Sequence, residues 1–273
     1  MFVILKIVQS EKKSIRKNRT VNDVRLIKMS AGSCFYEVEA IAGEKGVNWQ
    51  EVADVVGRHS SNILLADDVI LPEDCSVKRF SSDEFRNILI FNTLELIFKE
   101  LFFMGERISC IINDPTGKYA SYIGKIVRYA SRTTVVTDNE FRYFADIRQM
   151  YSYFGAGVVL ATGIGELRSD SIYIDTAGTL NAQNVTVFSP SAGFSPYLVD
   201  GHSDLKAFCP AYINQTDFLG AVMLLNGERA LRQAVCRTFG TAEKNFTVYE
   251  TARYIATQKN GCSACDKSII FYV

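Results

Sequence analysis

Between residues 107 and 190 the chain alternates short, nearly continuous apolar runs with helical stretches, and few architectures accept that rhythm. "RISCIIND" (107–114), "TTVVTD" (133–138), "GVVLATG" (157–163), "DSIYIDTAG" (170–178) and "NVTVFSP" (184–190) read as strands. "KYASYIGKIVRYA" (118–130) and "EFRYFADIRQMYSYF" (140–154) read as helices between them. Strands apolar on both faces and joined by helices belong in a mostly parallel sheet covered on both sides. Right-handed crossovers make such a sheet doubly wound, so the fold class is α/β.

The first 80 residues follow a different pattern. "MFVILKIVQ" reads as a first strand: its apolar run is too short for a secretory segment, and basic residues follow it instead of preceding it. "VRLIKM" (24–29) and "CFYEVEAIA" (34–42) flank the turn-forming "SAGS" and predict an antiparallel pair. "NWQEVADVVGRH" (48–59) reads as an amphipathic helix and "SNILLA" (61–66) as a short strand. Ser81 precedes Glu84 by three positions, the spacing of a capping box, so a helix of about 20 residues starts there and ends near Gly105. The expected organisation is a smaller N-terminal α+β domain over 1–80, a linking helix over 81–104 and the α/β domain over 105–273. Helices over 215–225 and 245–258 and a last strand over 268–273 complete the reading.

Charge and cysteine usage narrow the function classes. Lys and Arg total 30, as do Asp and Glu, so the whole chain carries no field that steers it to nucleic acid or to an anionic membrane. The most apolar long stretch, 85–105, contains Arg86, Glu95, Lys99 and Glu100, which a bilayer penalises. Seven cysteines, an odd number without a secretory leader, fit free thiols in a reducing compartment, and cytoplasm is the expected location. The one strong bias is "KIVQSEKKSIRKNRTVNDVRLIK" (6–28), with eight Lys or Arg against Glu11 and Asp23. It either tracks nucleic-acid phosphates or forms a solvated hairpin, and the balanced total argues against nucleic acid as the main partner. A homo-oligomer is compatible with all of this.

"NDPTGK" (113–118) is the loop that raises the functional question. In an open parallel sheet, ligands bind beyond the carboxyl ends of the strands where the strand order reverses. A helix starting here presents unsatisfied amides and positive partial charge to a phosphate. Asp114, Thr116, Gly117 and Lys118 supply a carboxylate, a hydroxyl, a close backbone approach and a cation, and Asp138 closes the next strand about 20 residues on. From about 107 to 190 the chain resembles the NAD(P)-binding Rossmann superfamily, through the strand–loop–helix–strand order, Asp138 and "ELRSDSIYIDTAG" (166–178). That resemblance implies a Rossmann-like fold, NAD or NADP as cofactor, a ribose on Asp138 and an NAD(P)-linked oxidoreductase. The fingerprint G-x-G-x-x-G is absent, and Asp114 and Pro115 stand where glycines admit the pyrophosphate. The alternative is a tight turn with Asp114 as a helix cap, in a non-enzymatic scaffold or interaction protein with a degenerate site.

Other motifs compete less well. "TGIGELR" (162–168) puts Thr162 and Gly163 at the same sheet edge, as a ligand contact or as turn chemistry. Cys262 and Cys265 have C-x-x-C spacing, but with only His59 and His202 in the chain a zinc set is not completed, and no metal is expected. His202, Ser203 and Asp204 are adjacent in sequence, whereas triad members converge from separate elements. "SPSAGFSP" (189–196) is either a ligand loop or an ordinary exposed connection.

Overall fold

The computed structural model describes residues 1–9, 20–29, 32–43, 46–165, 171–179, 186–190, 202–236, 238–240, 245–259 and 269–272. In chain order its first elements are β1 (Phe2–Gln9), β2 (Val21–Lys28), β3 (Cys34–Ala42), α1 (Trp49–Val56), β4 (Ile63–Leu64) and α2 (Asp83–Phe103). Next come β5 (Ser109–Asn113), α3 (Gly124–Val127), β6 (Thr133–Val136), α4 (Phe144–Phe154), β7 (Val158–Ala161), β8 (Ser171–Asp175) and β9 (Thr186–Ser189). The last are α5 (Ser203–Lys206), α6 (Gln215–Asn226), β10 (Thr238–Gly240), β11 (Asn245–Thr247), α7 (Val248–Lys259) and β12 (Ile269–Tyr272). The chain divides into two compact units, one of Met1–Phe85 with Gly201–Arg232 and one of Arg86–Asp200 with Gln233–Val273.

The first unit is built on a four-stranded mixed sheet in the order β2-β3-β1-β4. β2 pairs antiparallel with β3, as the "SAGS" turn predicts, while β1 runs parallel to both β3 and β4. β1 is apolar on both faces because both are covered. Val3 and Leu5 join Val38, Val52, Val56 and Ile63 in one core cluster. On the other face Phe2 stacks on Phe35 with centroids 5.4 Å apart, and Phe218 of α6 meets both rings edge-on at 5.9 and 5.7 Å. α6 also packs closely on the start of α2: a Cβ at Gly220 would lie 3.1 Å from Ser82 Cβ and 3.3 Å from Phe85 Cβ.

The second unit carries the sheet that the 107–190 rhythm predicts. Its order is β11-β10-β12-β9-β8-β5-β6-β7, with β7 through β12 parallel and β10 and β11 antiparallel at one end. Numbered along the chain, the parallel strands lie 3-2-1-4-5-6, the doubly wound Rossmann-like order. α2 is buried through its middle at Ile90, Phe91, Leu94 and Ile97, as its encircling apolar pattern requires. It ends where Gly105, at φ +80°, lets the Gly105 and Glu106 amides reach back to Phe102 and Leu101 carbonyls.

Two helices depart from the sequence reading. The helix expected over 118–130 is a 3₁₀ turn, Ala120–Tyr122, followed by the four-residue α3. Tyr119 and Tyr122 both lie against Phe91, each with centroids 5.7 Å from it. Positions three apart eclipse in a 3₁₀ turn, which brings both rings to one side. The helix expected from 245 begins at Val248, because Thr247 forms the capping box: its Oγ1 accepts from the Glu250 amide at 3.2 Å, and the Glu250 carboxylate accepts from the Thr247 amide at 2.8 Å.

The Phe2–Phe35–Phe218 cluster anchors α6 to the first sheet. Phe218→Ala should therefore cost about 3–5 kcal/mol, read as a lower urea midpoint, whereas Phe218→Leu should cost under about 1.5 kcal/mol.

Candidate functional site

The strand order reverses at β5, which lies between β6 and β8. Asn113 stands opposite Val136 of β6 and Asp175 of β8, and Val136 stands opposite Ala161 of β7. The residues just past the strand ends are therefore neighbours: Asp114 after β5, Thr137 and Asp138 after β6, Thr162 and Gly163 after β7, Thr176 after β8.

Asp114 is fully buried, and four donors converge on its carboxylate. The Thr116 hydroxyl and the Lys118 amide donate to Oδ1 at 3.1 and 3.3 Å. The Tyr119 amide and the Tyr143 hydroxyl donate to Oδ2 at 2.9 and 2.6 Å. Burial, then the bond to Asp114, push the Tyr143 phenol well above its ordinary pKa, so it stays a donor. The Gly117 amide donates to the Asp114 carbonyl at 3.1 Å. Gly117 has φ +69°, and a Cβ there would lie 2.9 Å from Arg142 Cβ and 3.1 Å from the Asn139 carbonyl, so only glycine fits this turn.

The loop after β6 closes over the loop after β5. The Asp138 amide donates to the Pro115 carbonyl at 3.1 Å, and Thr137 Oγ1 donates to the same carbonyl at 3.4 Å. The Asp138 side chain is exposed, as are Thr116, Lys118, Thr162 and Gly163. The structure thus gathers Asp114, Thr116, Gly117, Lys118 and Asp138, with Thr162 and Gly163 at the next strand end. The reversal point itself is tied across: Asn113 Nδ2 donates to the buried Asp175 at 2.9 Å, and the Thr176 amide and hydroxyl both donate to the Asn113 carbonyl. Asn87 of α2 donates to the Thr176 carbonyl and to the Tyr119 hydroxyl, each at 3.0 Å.

A dinucleotide pyrophosphate in this loop requires free amides at the start of the following helix. Here the Lys118 and Tyr119 amides already hold a carboxylate, Pro115 has no amide hydrogen, and the Gly117 amide is bonded within the turn. These residues do not fit a pyrophosphate; the carboxylate stands where one would bind. Tyr143, which fixes that carboxylate, was not foreseeable from sequence, since it reaches Asp114 from the turn before α4. The signal that was present is "DPTG", an acid directly before turn-forming residues at the end of a buried strand.

The remaining motifs offer less. His202, at φ 55°, caps α5 and Ser203 and Asp204 are its first two residues, so the three come from one short segment and not from the separate elements that a triad requires. Cys262, Cys265 and residues 191–196 lie outside the described residues, and among the described residues no group of three His, Cys, Asp or Glu is placed to hold a metal ion. Cys236 is buried, and burial pushes its thiol up to about 12. Of the basic 6–28 segment, residues 10–19 lie outside the described set, while Lys6 pairs with Glu39 at 3.1 Å and Arg25 with Asp23 at 2.5 Å. No described helix is long and apolar enough to cross a membrane.

No family model matches the chain, and no curated protein matches it. Among solved structures it is similar to L-tryptophan dehydrogenase from Nostoc punctiforme at 13% identity and a TM-score of 0.30, covering 72% of this chain and 64% of that one. It therefore spans about 64% of the length of that enzyme. It is also similar to ligand-free 5-ketofructose reductase of Gluconobacter sp. strain CHM43, at 11% identity and a TM-score of 0.26, covering 82% and 87% of the two chains. At such scores neither likeness says anything of this chain's substrate or cofactor.

The Asp114 cluster is a stability element whatever else it does. In Asp114→Asn the amide keeps one acceptor oxygen and turns a donor towards two donors, so unfolding free energy should fall by about 2–4 kcal/mol, and Tyr143→Phe should lose about 1–2 kcal/mol. Denaturant titration of the three proteins checks the order.

Proposed function

We propose that the Rossmann-like unit does not hold a dinucleotide in its first loop, and that the protein is a non-enzymatic scaffold or interaction protein with a degenerate site. The observation that carries this reading is the buried Asp114 carboxylate, which takes the amides that phosphate binding requires and brings a negative charge to the same point. The bonds between Asn113, Asp175 and Thr176 support it, because they tie together the two strand ends between which a ligand would enter.

A ligand present at about 100 times its Kd stabilises a folded protein by roughly 2.7 kcal/mol, several degrees of midpoint for a chain of this size. NAD, NADH, NADP and NADPH at millimolar concentration should therefore leave the thermal midpoint unmoved. A reproducible rise with any one of them sinks the degenerate-site reading.

The exposed carboxylate of Asp138 favours a second reading, in which NAD or NADP is held by its ribose at the ends of β6 and β7 as part of an NAD(P)-linked oxidoreductase. Thr162 and Gly163 would flank that ribose, and the phosphates would pass outside the Asp114 turn. On this reading Asp138→Ala abolishes the dinucleotide-induced shift while leaving the unliganded midpoint in place; a shift that survives the substitution removes Asp138 from the site.

A further inference from the structure

β7 is the last strand of the eight-stranded sheet, and among the described residues nothing pairs with its outer side. Ala161 turns its carbonyl to the Thr137 amide, so by alternation along the strand Val158 and Leu160 turn their backbone N–H and C=O groups to the open side. Unpaired edges of this kind invite another strand and are usually blunted by charge, proline or a covering element. β7 is "VVLA", with neither charge nor proline, none of the described residues pairs with its outer side, and Val159 is exposed.

The helix before it carries a second exposed feature on the same flank. Phe141 is 82% exposed, Phe144 52% and Tyr151 69%, and with Arg148 they form one stripe at helical spacing along α4 and the turn that leads into it. Phe141 and Phe144 meet edge-on with centroids 6.3 Å apart. Met150 points about 140° from the centre of that stripe at 3.6 residues per turn, and there it meets α3, where a Cβ on Gly124 would lie 2.8 Å from its sulfur. α3 joins β5 to β6 and α4 joins β6 to β7, so the flank of α4 turned away from α3 is the one beside the β7 edge. The outward positions of α4 between these flanks are Ala145, Gln149 and Ser152, with the exposed Tyr153 at the end of the helix next to the α3 flank.

We infer that this composite surface, the open edge of β7 and the Phe141–Phe144–Tyr151 stripe, is the contact between two copies of the chain. A two-fold axis normal to the sheet at β7 pairs the strand antiparallel with its own copy and keeps both sheets on one face. The same operation sets the two α4 helices side by side, stripe against stripe. A separate peptide strand would satisfy the edge and leave the rings in water, whereas a second copy covers both. At about 150–250 Å² per large aromatic side chain, the three rings leave roughly 400 Å² open. That is about half of the ~800 Å² per partner in a standard interface, and the β7 backbone, Val159 and Arg148 border the rings to extend it. This contact does not depend on what the β5 loop binds.

Sedimentation equilibrium at tens of micromolar, with hydrogen exchange on the same samples, tests the inference. The intact chain should sediment at twice its mass and its Leu160 amide should exchange slowly. Phe144→Glu/Tyr151→Glu, at two exposed positions, should sediment as a monomer with a fast-exchanging Leu160 amide and the urea midpoint of wild type diluted to its monomer; Tyr151→Ser alone should weaken the dimer in the same direction. A monomeric wild type overturns the inference. So does a dimer that survives the double substitution, or one whose Leu160 amide exchanges as fast as in the monomer.

Discussion

Four donors from two segments converge on the Asp114 carboxylate, and the carboxyl end of the second sheet takes its shape from that convergence. A buried carboxylate without partners is costly enough to neutralise or unfold its surroundings, so each donor is obligatory once the aspartate is buried. Thr116 and the Lys118 and Tyr119 amides fold the loop back on itself, and Tyr143 brings in the turn that precedes α4. The left-handed Gly117 and its contacts with Asn139 and Arg142 follow from holding the two loops that close. Tyr119, fixed at one end by its amide, then lies against Phe91 of α2 and ties the loop to the buried helix.

The same arrangement separates fold from chemistry. A parallel sheet in the 3-2-1-4-5-6 order offers a ligand crevice wherever its strand order reverses, because the connections leave in opposite directions there. In this protein the crevice is crossed by Asn113 to Asp175, by Thr176 to Asn113 and by Asn87 to Thr176. The architecture that elsewhere leaves amides open for a phosphate here uses them within the chain, and an architecture by itself implies no activity.

Local chemistry made much of this legible in advance. The α/β class and the parallel strands of the second sheet followed from apolar runs too short for helices, and the end of α2 from Gly105. The antiparallel β2–β3 pair followed from turn residues between two β-rich runs. What was not legible depends on residues distant in sequence. Nothing near Tyr119 and Tyr122 announces that both rings must lie against Phe91, the condition that turns an expected helix into a 3₁₀ turn. Nothing near Asp114 announces Tyr143. The parallel course of β1 beside β3 and β4 is set by faces that only the assembled sheet reveals. At the candidate site "DPTG" allowed both a cap and a phosphate loop, and the deciding fact is the destination of two backbone amides.

The return of Gly201–Arg232 to the first unit bears on how the chain is made. Phe2 and Phe35 emerge early from the ribosome, yet the ring that completes their cluster is Phe218, and the Asn226 side chain that donates to the Cys34 carbonyl comes later still. The first sheet must wait, with one apolar face uncovered, while most of the second unit is synthesised. Folding of the nascent chain therefore cannot proceed simply from the amino end: the first unit is finished by a segment translated after β5 to β9, and during that interval its bare phenylalanines are what a chaperone would meet.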